Sequence, residues 1–394
     1  MRCIVYLEER FLRDKEGNYY SVVFGDEYWA RYLSVYSSLL VVARSVDISS
    51  GELTEHHQAI KDDRVSFATL PYYKGPQQFL IVFLSLLNAI RKCARIDGVH
   101  ILRVPGVIAS MALPFLIFSR RPFGVELVGD PYQVFESGGV GGFFSSFYKK
   151  VFTFLTRKAC GRASAVAYVT RYAMQAAYPA ADDAFTTHYS SIQLQSEMIV
   201  DSRAIECDIS GRPFTIFMVG SMEQRYKGFD VMIRALQILS QSKSNVIVKI
   251  AGSGACQAEL ELLANQLGIS QSVVFLGLIS RASVLSTMDD VDLFVMPSRT
   301  EGLPRALIEA MARGLPALGS NVGGIPELLD SEFIFENGNY AQLAGMIDAL
   351  IGNISLLSMM SSKNIVTARS YEIGELRVRQ KKFYEYLYNV SASS

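Results

Sequence analysis

Residues 214–220, Phe-Thr-Ile-Phe-Met-Val-Gly, form a short apolar run that ends in glycine and precedes a helical pattern over Phe229 to Leu239. The same strand signal repeats at Val246 to Ala251, at Val273 to Gly277 and at Asp292 to Pro297. Strands that alternate with helices predict a parallel sheet with helices on both faces. We therefore expect an α/β fold for this half of the chain.

The first 200 residues carry a less regular form of the same pattern. Ile101 to Val104, Gly124 to Gly129 and Ala163 to Thr170 are predicted strands between helical segments. The polar stretch Asp201 to Arg212 is the predicted linker. A chain of 394 residues is long enough for two domains.

The composition excludes several classes of protein. Half of the residues are hydrophobic and only 19% are charged, which excludes a largely disordered chain. Basic and acidic residues both number 38, so we expect no nucleic-acid partner. The five cysteines form no C-x-x-C pair, which predicts reduced thiols in the cytoplasm and neither a disulfide framework nor a zinc site. The uncharged runs are too short for a transmembrane segment, and none is predicted.

One segment, Ser137 to Ala181, has 45 residues without a single Asp or Glu. It holds six cations, among them Lys149, Lys150, Arg157 and Lys158, interleaved with bulky aromatic residues. Such a combination is typical of a surface that binds anionic membranes. The alternative is an ordinary helix whose aromatic side lies in the core, and both interpretations stay open.

Three loops follow the predicted strands of the second half, at Gly220 to Gly228, at Gly252-Ser-Gly254 and at Pro297 to Pro304. Parallel sheets bind ligands at the carboxyl ends of their strands. The cations Lys227 and Arg225 of the first loop are placed to meet a diphosphate, or are simply solvated loop residues. The second loop allows close backbone approach or makes a tight turn, and lacks the third glycine of a dinucleotide fingerprint.

The segment 301–316 reads Glu-Gly-Leu-Pro-Arg-Ala-Leu-Ile-Glu-Ala-Met-Ala-Arg-Gly-Leu-Pro. Pro304 suits a first helical turn and Gly314 a helix end, which predicts a helix over about 304–313. Its unpaired amides can bind phosphate or sugar hydroxyls, together with those of Gly302 and Leu303.

Two carboxylates of this segment, Glu301 and Glu309, can bracket a ligand from the loop and from the helix. The alternative is that Glu309 pairs with Arg305 or Arg313 on a solvated helix face.

In order and spacing, these motifs resemble the retaining glycosyltransferases of family four, which have the two-domain GT-B fold. The resemblance covers Phe214 to Leu329 and includes Ser320-Asn-Val-Gly-Gly-Ile-Pro-Glu327, and Glu301 and Glu309 match the family's E-x(7)-E signature. It implies two Rossmann-like parallel-sheet domains that face each other across a cleft. The acceptor domain would span 1–200, the nucleotide-sugar domain 213–372, and a helix over 373–394 would cross back to the first domain.

The resemblance also implies roles for single residues. Glu309 would bind the ribose, Glu301 the hydroxyls of the transferred sugar, and Lys227 the diphosphate, which makes Glu301 and Lys227 the catalytic candidates. The base would lie near Leu278. The remaining expected donor contacts are Gly220, Ser221, Gly252, Gly254, Gly302, Leu303 and Pro304.

The sequence departs from the family pattern at three places. Ser221 stands where the family has Arg, and we take Arg225 as the candidate replacement and as a third catalytic residue. Asp130 lies near the position of a donor-binding His, and Gly17 is the single glycine where the family has a glycine pair. Both are candidates for the acceptor side.

The implied activity is transfer of a hexosyl group from a UDP- or GDP-linked sugar to a hydroxyl of a glycan or lipid-linked acceptor, with retention. Fixed positive groups and helix N-termini would stabilise the departing diphosphate, so we expect no metal and no cofactor. Surface polysaccharide or glycolipid synthesis at the inner face of the membrane is the expected setting. The alternatives are a nucleotide-sugar epimerase of the same fold and a non-catalytic sugar-nucleotide-binding protein.

Overall fold

The computed structural model describes residues 1–48, 53–54, 57–131, 145–205, 211–242 and 244–393, with the side chains of residues 145 and 146 left out. Two predicted features lie partly outside the described residues. They are the linker, at residues 206–210 including Cys207, and the acid-free segment, at residues 137–144.

The chain divides into two compact units. The first comprises Met1–Pro131, Phe147–Tyr189 and Arg377–Ser394, and the second comprises Tyr132–Ser146 and Ser190–Leu376. The domain boundaries expected from the sequence stay predictions.

The first unit is built on a mixed sheet of nine described strands. They are β1 (Arg2–Arg13), β2 (Tyr19–Ser21), β3 (Ser38–Asp47), β4 (Gln58–Ile60), β5 (Val65–Leu70), β6 (Val99–Val104), β7 (Phe123–Leu127), β8 (Ala165–Tyr168) and β9 (Phe185–His188). The parallel part has the order β5-β3-β1-β6-β7-β8-β9. The short strands β2 and β4 add antiparallel pairs beyond a register shift in β1.

Helices cover both faces of this sheet. They are α1 (Asp26–Leu33), α2 (Gly75–Cys93), α3 (Val107–Phe118), α4 (Ser145–Cys160), the short α5 (Ala173–Ala177) and the C-terminal helix, α12 (Ile373–Ala392). Buried side chains of α2, α3 and α4 share one apolar core with β1, β3, β6, β7 and β8. The opposite face is covered by α1 and α12, since Leu387 and Phe383 of α12 pack against Gly124.

A buried carboxylate, Glu126 of β7, ties α1 and α12 to the sheet. It accepts hydrogen bonds from Arg103 at 2.8 Å and from the hydroxyls of Tyr32, Tyr189 and Tyr384, each at 2.9 Å. Burial raises the pKa of Glu126, but Arg31 and Arg103 outweigh it and hold the pKa below its usual range. The charge is therefore kept where an isolated carboxylate would be neutral.

The second unit has a parallel sheet of order β12-β11-β10-β13-β14-β15. Its strands are β10 (Phe214–Val219), β11 (Val246–Ala251), β12 (Val273–Gly277), β13 (Leu293–Met296), β14 (Ala317–Ser320) and β15 (Ile334–Phe335). Its helices are α6 (Phe229–Gln241), α7 (Gln257–Gln266), α8 (Arg281–Asp289), α9 (Arg305–Ala312), α10 (Tyr340–Leu350) and α11 (Ile354–Arg369). The expected α/β class with two parallel-sheet units is confirmed.

No single helix in the described ranges is both long and apolar enough to cross a membrane. The pair α10 and α11 meets that test only when taken together, across a bend of 107°. Both helices also contribute buried residues to the core of the second unit.

Candidate functional site

Three loops of the second unit meet at the carboxyl edge of its sheet because β11, β10 and β13 are neighbours. The amide of Gly252 donates to the carbonyl of Gly277 at 2.8 Å, and that of Gly220 donates to Ala251 at 3.0 Å. Arg299, in the loop after β13, binds Asp230 at the start of α6 through two hydrogen bonds of 2.7 and 2.8 Å. These bonds fix the loops against one another.

Two glycines make this close approach possible. Gly228 has a φ of +69°, and a Cβ there would lie 1.9 Å from the carbonyl oxygen of Pro297. Gly252 has a φ of +137°, and a Cβ there would lie 1.9 Å from the carbonyl oxygen of Gly220. Any side chain at either position would separate neighbouring loops.

The loops and the N-terminus of α9 enclose a pocket of about 640 Å³. It brings together seven of the residues expected from the sequence, namely Gly220, Ser221, Lys227, Glu301, Leu303, Pro304 and Glu309. The pocket is therefore the candidate donor site, formed entirely within the second unit.

Two lining residues of the pocket, Lys227 and Glu301, form an ion pair with Nζ 2.6 Å from Oε1. Both side chains are mostly buried, with 17% and 10% of their surface exposed. The buried hydroxyl of Ser298 donates to the same carboxylate oxygen at 2.8 Å. The Lys227 methylenes pack on Gly220, where a Cβ would approach them to 3.1 Å.

Glu309 is held by Arg281, the first residue of α8, at 2.9 Å. The same guanidinium donates to the carbonyl of Gln193 at 3.0 Å. Neither alternative partner named from the sequence binds Glu309, since Arg313 pairs with Asp289 at 2.7 Å and Arg305 turns to the pocket lining. The interpretation as a helix-surface pair is wrong because the carboxylate points from α9 towards α8.

Arg305 is a pocket residue that the sequence analysis did not single out as a ligand. It is the first residue of α9, is exposed, and lines the same pocket as Lys227. In the described part of the chain its guanidinium makes no ion pair. A cation at a helix N-terminus opposes the helix dipole, so this position favours an added anion.

Arg225 does not lie with these residues. Its guanidinium pairs with Glu259 of α7 at 2.6 Å, is 69% exposed, and lines a different cavity. The bonds to Glu259 raise the pKa of Arg225. The loop after β10 is short and turns at Arg225–Lys227, which sends the two cations in different directions. The charge missing at Ser221 is therefore not supplied by Arg225 in this conformation.

The other expected donor residues are not among those that line the pocket. Gly252 and Gly254 pack against the backbone of the first loop, and Gly302 accepts a hydrogen bond from the amide of Gly324 at 2.7 Å. Leu278 is 82% exposed, while its neighbour Ile279 does line the pocket. Their roles in donor binding stay predictions.

The two acceptor-side candidates belong to the first unit. Gly17, with a φ of +88°, lies in the turn between β1 and β2, where its amide donates to the carbonyl of Asp14 at 3.1 Å. Asp130 follows β7 and accepts a hydrogen bond from the hydroxyl of Tyr178. The turn accounts for the glycine at position 17 without a ligand.

Comparison with known proteins matches residues 206–365 to the family described as glycosyl transferases group 1. The chain is 27% identical over 372 residues to Protein CapJ of Staphylococcus aureus, which covers 93% of this chain and 91% of CapJ. It is 32% identical over 149 residues to the amylovoran biosynthesis glycosyltransferase AmsK of Erwinia amylovora, which covers 36% of each protein.

Solved structures with the same fold include sucrose-phosphate synthase from Thermosynechococcus elongatus, with a TM-score of 0.69, 12% identity and full coverage of both chains. Anabaena HepE in complex with UDP-glucose has a TM-score of 0.65 and 18% identity, covering 97% of this chain and 98% of HepE. These likenesses identify the fold as GT-B, as the sequence predicts.

Proposed function

Residues 206–365 place this chain in the glycosyl transferases group 1 family, and from that premise we propose that it transfers a hexosyl group from a nucleoside diphosphate sugar to an acceptor hydroxyl, with retention. The observation that carries the proposal is the pocket at the N-terminus of α9, which Lys227 and two anchored carboxylates, Glu301 and Glu309, line together. This combination suits a ligand with negative charge at one part and hydroxyl groups at others.

The positive groups of the pocket would bind the diphosphate. Lys227 supplies an ammonium group, and Arg305 adds a guanidinium at the helix N-terminus. Negative charge builds on the diphosphate as the bond to the anomeric carbon breaks, so groups fixed in advance lower the barrier. Arg305, rather than Arg225, is our candidate for the cation absent at Ser221.

The carboxylates would bind hydroxyl groups. Glu309, fixed by Arg281 and by its place on α9, would accept hydrogen bonds from the ribose. Glu301, fixed by Ser298 and Lys227, would accept them from the transferred sugar. Donor binding would place the diphosphate beside Lys227, which would then divide its hydrogen bonds between phosphate and Glu301.

The nature of the two substrates is also a proposal. HepE, whose structure contains UDP-glucose, supports a UDP-linked hexose as the first donor to test, with GDP-linked hexoses second. We propose an acceptor in bacterial surface polysaccharide or glycolipid synthesis, and the similar protein AmsK is named for amylovoran biosynthesis. We propose a cytoplasmic location, in keeping with the free cysteines Cys3, Cys93, Cys160 and Cys256.

The test is to incubate the protein with UDP- and GDP-hexoses, with and without alkyl glycosides as acceptors, and to follow nucleoside diphosphate release and sugar products. A transferase releases nucleoside diphosphate faster with an acceptor and forms a new glycoside. An epimerase converts the donor sugar without acceptor. A binding protein retains donor without turnover, and either of the last two results would refute the proposal.

A further inference from the structure

The helix layer α2, α3 and α4 on one face of the first unit exposes large apolar side chains to solvent. On α2, Leu80, Ile81 and Leu84 are 73%, 83% and 77% exposed. On α4, Phe147 and Phe154 are 61% and 62% exposed. We call these five side chains the outer helix face. Single exposed apolar residues are ordinary, but three within five positions of one helix are not.

Helix α2 shows the contrast most clearly. Its inner side, with Leu86, Ile90 and Cys93, is buried in the core of the unit. A helix at a protein surface normally turns polar residues outward, whereas α2 turns Leu and Ile outward as well. Burial in the core therefore accounts for only one of its two apolar sides.

The charge of this layer is one-sided. Helices α2, α3 and α4 contain no Asp or Glu at all, and the chain from Arg64 to Ile96 has 33 residues without one. The layer carries six cations, namely Arg91, Lys92, Lys149, Lys150, Arg157 and Lys158. Helices that expose apolar side chains and carry cations but no carboxylate fit a lipid surface, which has an anionic headgroup layer over an apolar interior.

Most of the outer helix face lies near the carboxyl edge of the sheet of the first unit. A helix that follows a parallel strand runs back from the carboxyl edge of the sheet, so the first half of such a helix lies near that edge. Leu80, Ile81 and Leu84 lie in the first half of α2, and Phe147 lies at the start of α4. Four of the five side chains of the outer helix face, all but Phe154, therefore lie towards the edge where ligands of parallel sheets bind.

We propose that the outer helix face docks on an anionic lipid bilayer, with the five side chains inserted among the headgroups and the cations beside lipid phosphates. A second copy of this chain fits the face less well. In a symmetric dimer the six cations of one layer would meet the six of the other with no carboxylate on either helix layer to pair with them.

This proposal extends the expectation for Ser137 to Ala181. Phe154 is exposed there, whereas Thr156, Ala159 and Cys160 of α4 are buried, so one side of α4 lies in the core and membrane binding by this segment stays a prediction. Phe143 and Phe144 lie outside the described residues. The larger apolar contribution comes from α2, whose exposed side chains Leu80, Ile81 and Leu84 lie outside that segment.

The experiment is co-sedimentation of the full chain with vesicles of phosphatidylglycerol and phosphatidylcholine, and with phosphatidylcholine alone, at low and high salt. The vesicles contain no glycolipid, so binding does not depend on an acceptor. We expect binding only with the anionic lipid and a steep decrease with salt. The triple variant Leu80→Ser, Ile81→Ser and Leu84→Ser should bind at least about tenfold more weakly, since its apolar contribution is lost.

A charge variant, Arg91→Gln with Lys92→Gln, should weaken binding to anionic vesicles about fivefold or more and remove part of the salt dependence. The matched control changes exposed apolar residues of the second unit, Leu262→Ser and Val366→Ser, which are 56% and 71% exposed, and should bind like the wild type. Turnover of soluble substrates should be unchanged in all variants, which separates this proposal from the proposed function.

Three results would overturn the proposal. One is wild-type protein that stays in the supernatant with anionic vesicles at low salt. Another is a triple variant that binds as well as the wild type. The third is a wild-type dimer in solution that the triple variant converts to a monomer, because a second copy would then be the natural cover of the face.

Discussion

Replacing Lys227 by Met removes the ammonium group from the pocket while keeping most of the side-chain bulk. Its Nζ lies 2.6 Å from Glu301, and the two side chains are only 17% and 10% exposed. Without Lys227, the Glu301 carboxylate keeps the Ser298 hydroxyl as its hydrogen-bond donor. The substitution should therefore affect both catalysis and stability, for different reasons.

The catalytic effect should be the larger one. Removing a fixed group that stabilises transition-state charge costs about 10²–10³ in kcat, or about 3–4 kcal/mol. The effect on stability should be about 1–3 kcal/mol, the cost of leaving a mostly buried charged group without its partner. It should stay below the roughly 3–5 kcal/mol of a fully buried pair because water still reaches the pocket.

The assay measures kcat and KM from nucleoside diphosphate release, and the free energy of unfolding from urea titrations. The double variant Lys227→Met with Glu301→Gln should recover much of the lost stability, since no unpaired carboxylate remains. It should recover none of the lost kcat. Arg225→Gln is the matched control, because this exposed cation of the same loop is paired with Glu259 outside the pocket.

The reasoning would fail if the folded Lys227→Met variant kept kcat within about threefold of wild type. It would also fail if Arg225→Gln lowered kcat as strongly as Lys227→Met does. The second result would return Arg225 to the role that the sequence suggested and would require its guanidinium to leave Glu259.

Three further predictions concern single residues. Glu309→Gln should weaken donor binding about tenfold, seen by calorimetry, because a charged acceptor of ribose hydrogen bonds is lost; unchanged affinity would remove Glu309 from the site. Arg305→Gln should lower kcat about tenfold and leave the unfolding free energy unchanged or slightly higher, since a cation opposing the helix dipole is removed; wild-type kinetics would contradict its role. Burial lowers the pKa of His100 to about 4 from 6.5, so its unfolded form binds the proton first and stability should fall as pH decreases from 6.5 to 4, by about 3 kcal/mol. Urea titrations across that range should show a flatter dependence in His100→Gln, and an equal slope in both proteins would contradict the assignment.

The second unit could be predicted closely because its signals are local. Buried parallel strands are continuous apolar runs, so β11 and β12 have the bounds that the sequence indicated, and β13 is one residue shorter at each end. The helix expected over about 304–313 is observed as Arg305–Ala312. These features depend on neighbours within one or two turns.

The partners of the site residues could not be predicted in the same way. Arg281 meets Glu309 across the contact between α8 and α9, 28 positions apart, and Lys227 meets Glu301 across 74 positions. Local reasoning offered Arg305 and Arg313 as partners because they are one helical turn from Glu309. Tertiary packing decides between such pairs, and this packing could not be predicted from the local spacing of residues in the sequence.

The first unit was harder to interpret because its interior is partly polar. Strand β7 buries Glu126, and its partners come from Tyr32, Tyr189 and Tyr384, which are 63 to 258 positions away. A buried carboxylate appears in the sequence as a surface residue, so the strand at Gly124 to Gly129 could be predicted but the burial of its Glu126 could not. Only the folded chain shows that two arginines and three tyrosines compensate its burial.

The outer helix face shows the converse of a buried carboxylate, because here apolar side chains are exposed to solvent. A sequence shows that α2 is rich in Leu, Ile and Phe but not how many of them the sheet can cover. The structure answers this, because a helix packed on a sheet contacts it along one side only, and Leu80, Ile81 and Leu84 lie off that side. Leaving them in water costs free energy that polar residues would avoid, which supports the proposal that a partner covers them. The cations and the lack of any Asp or Glu on the helices α2, α3 and α4 are the reason why we propose a negatively charged partner.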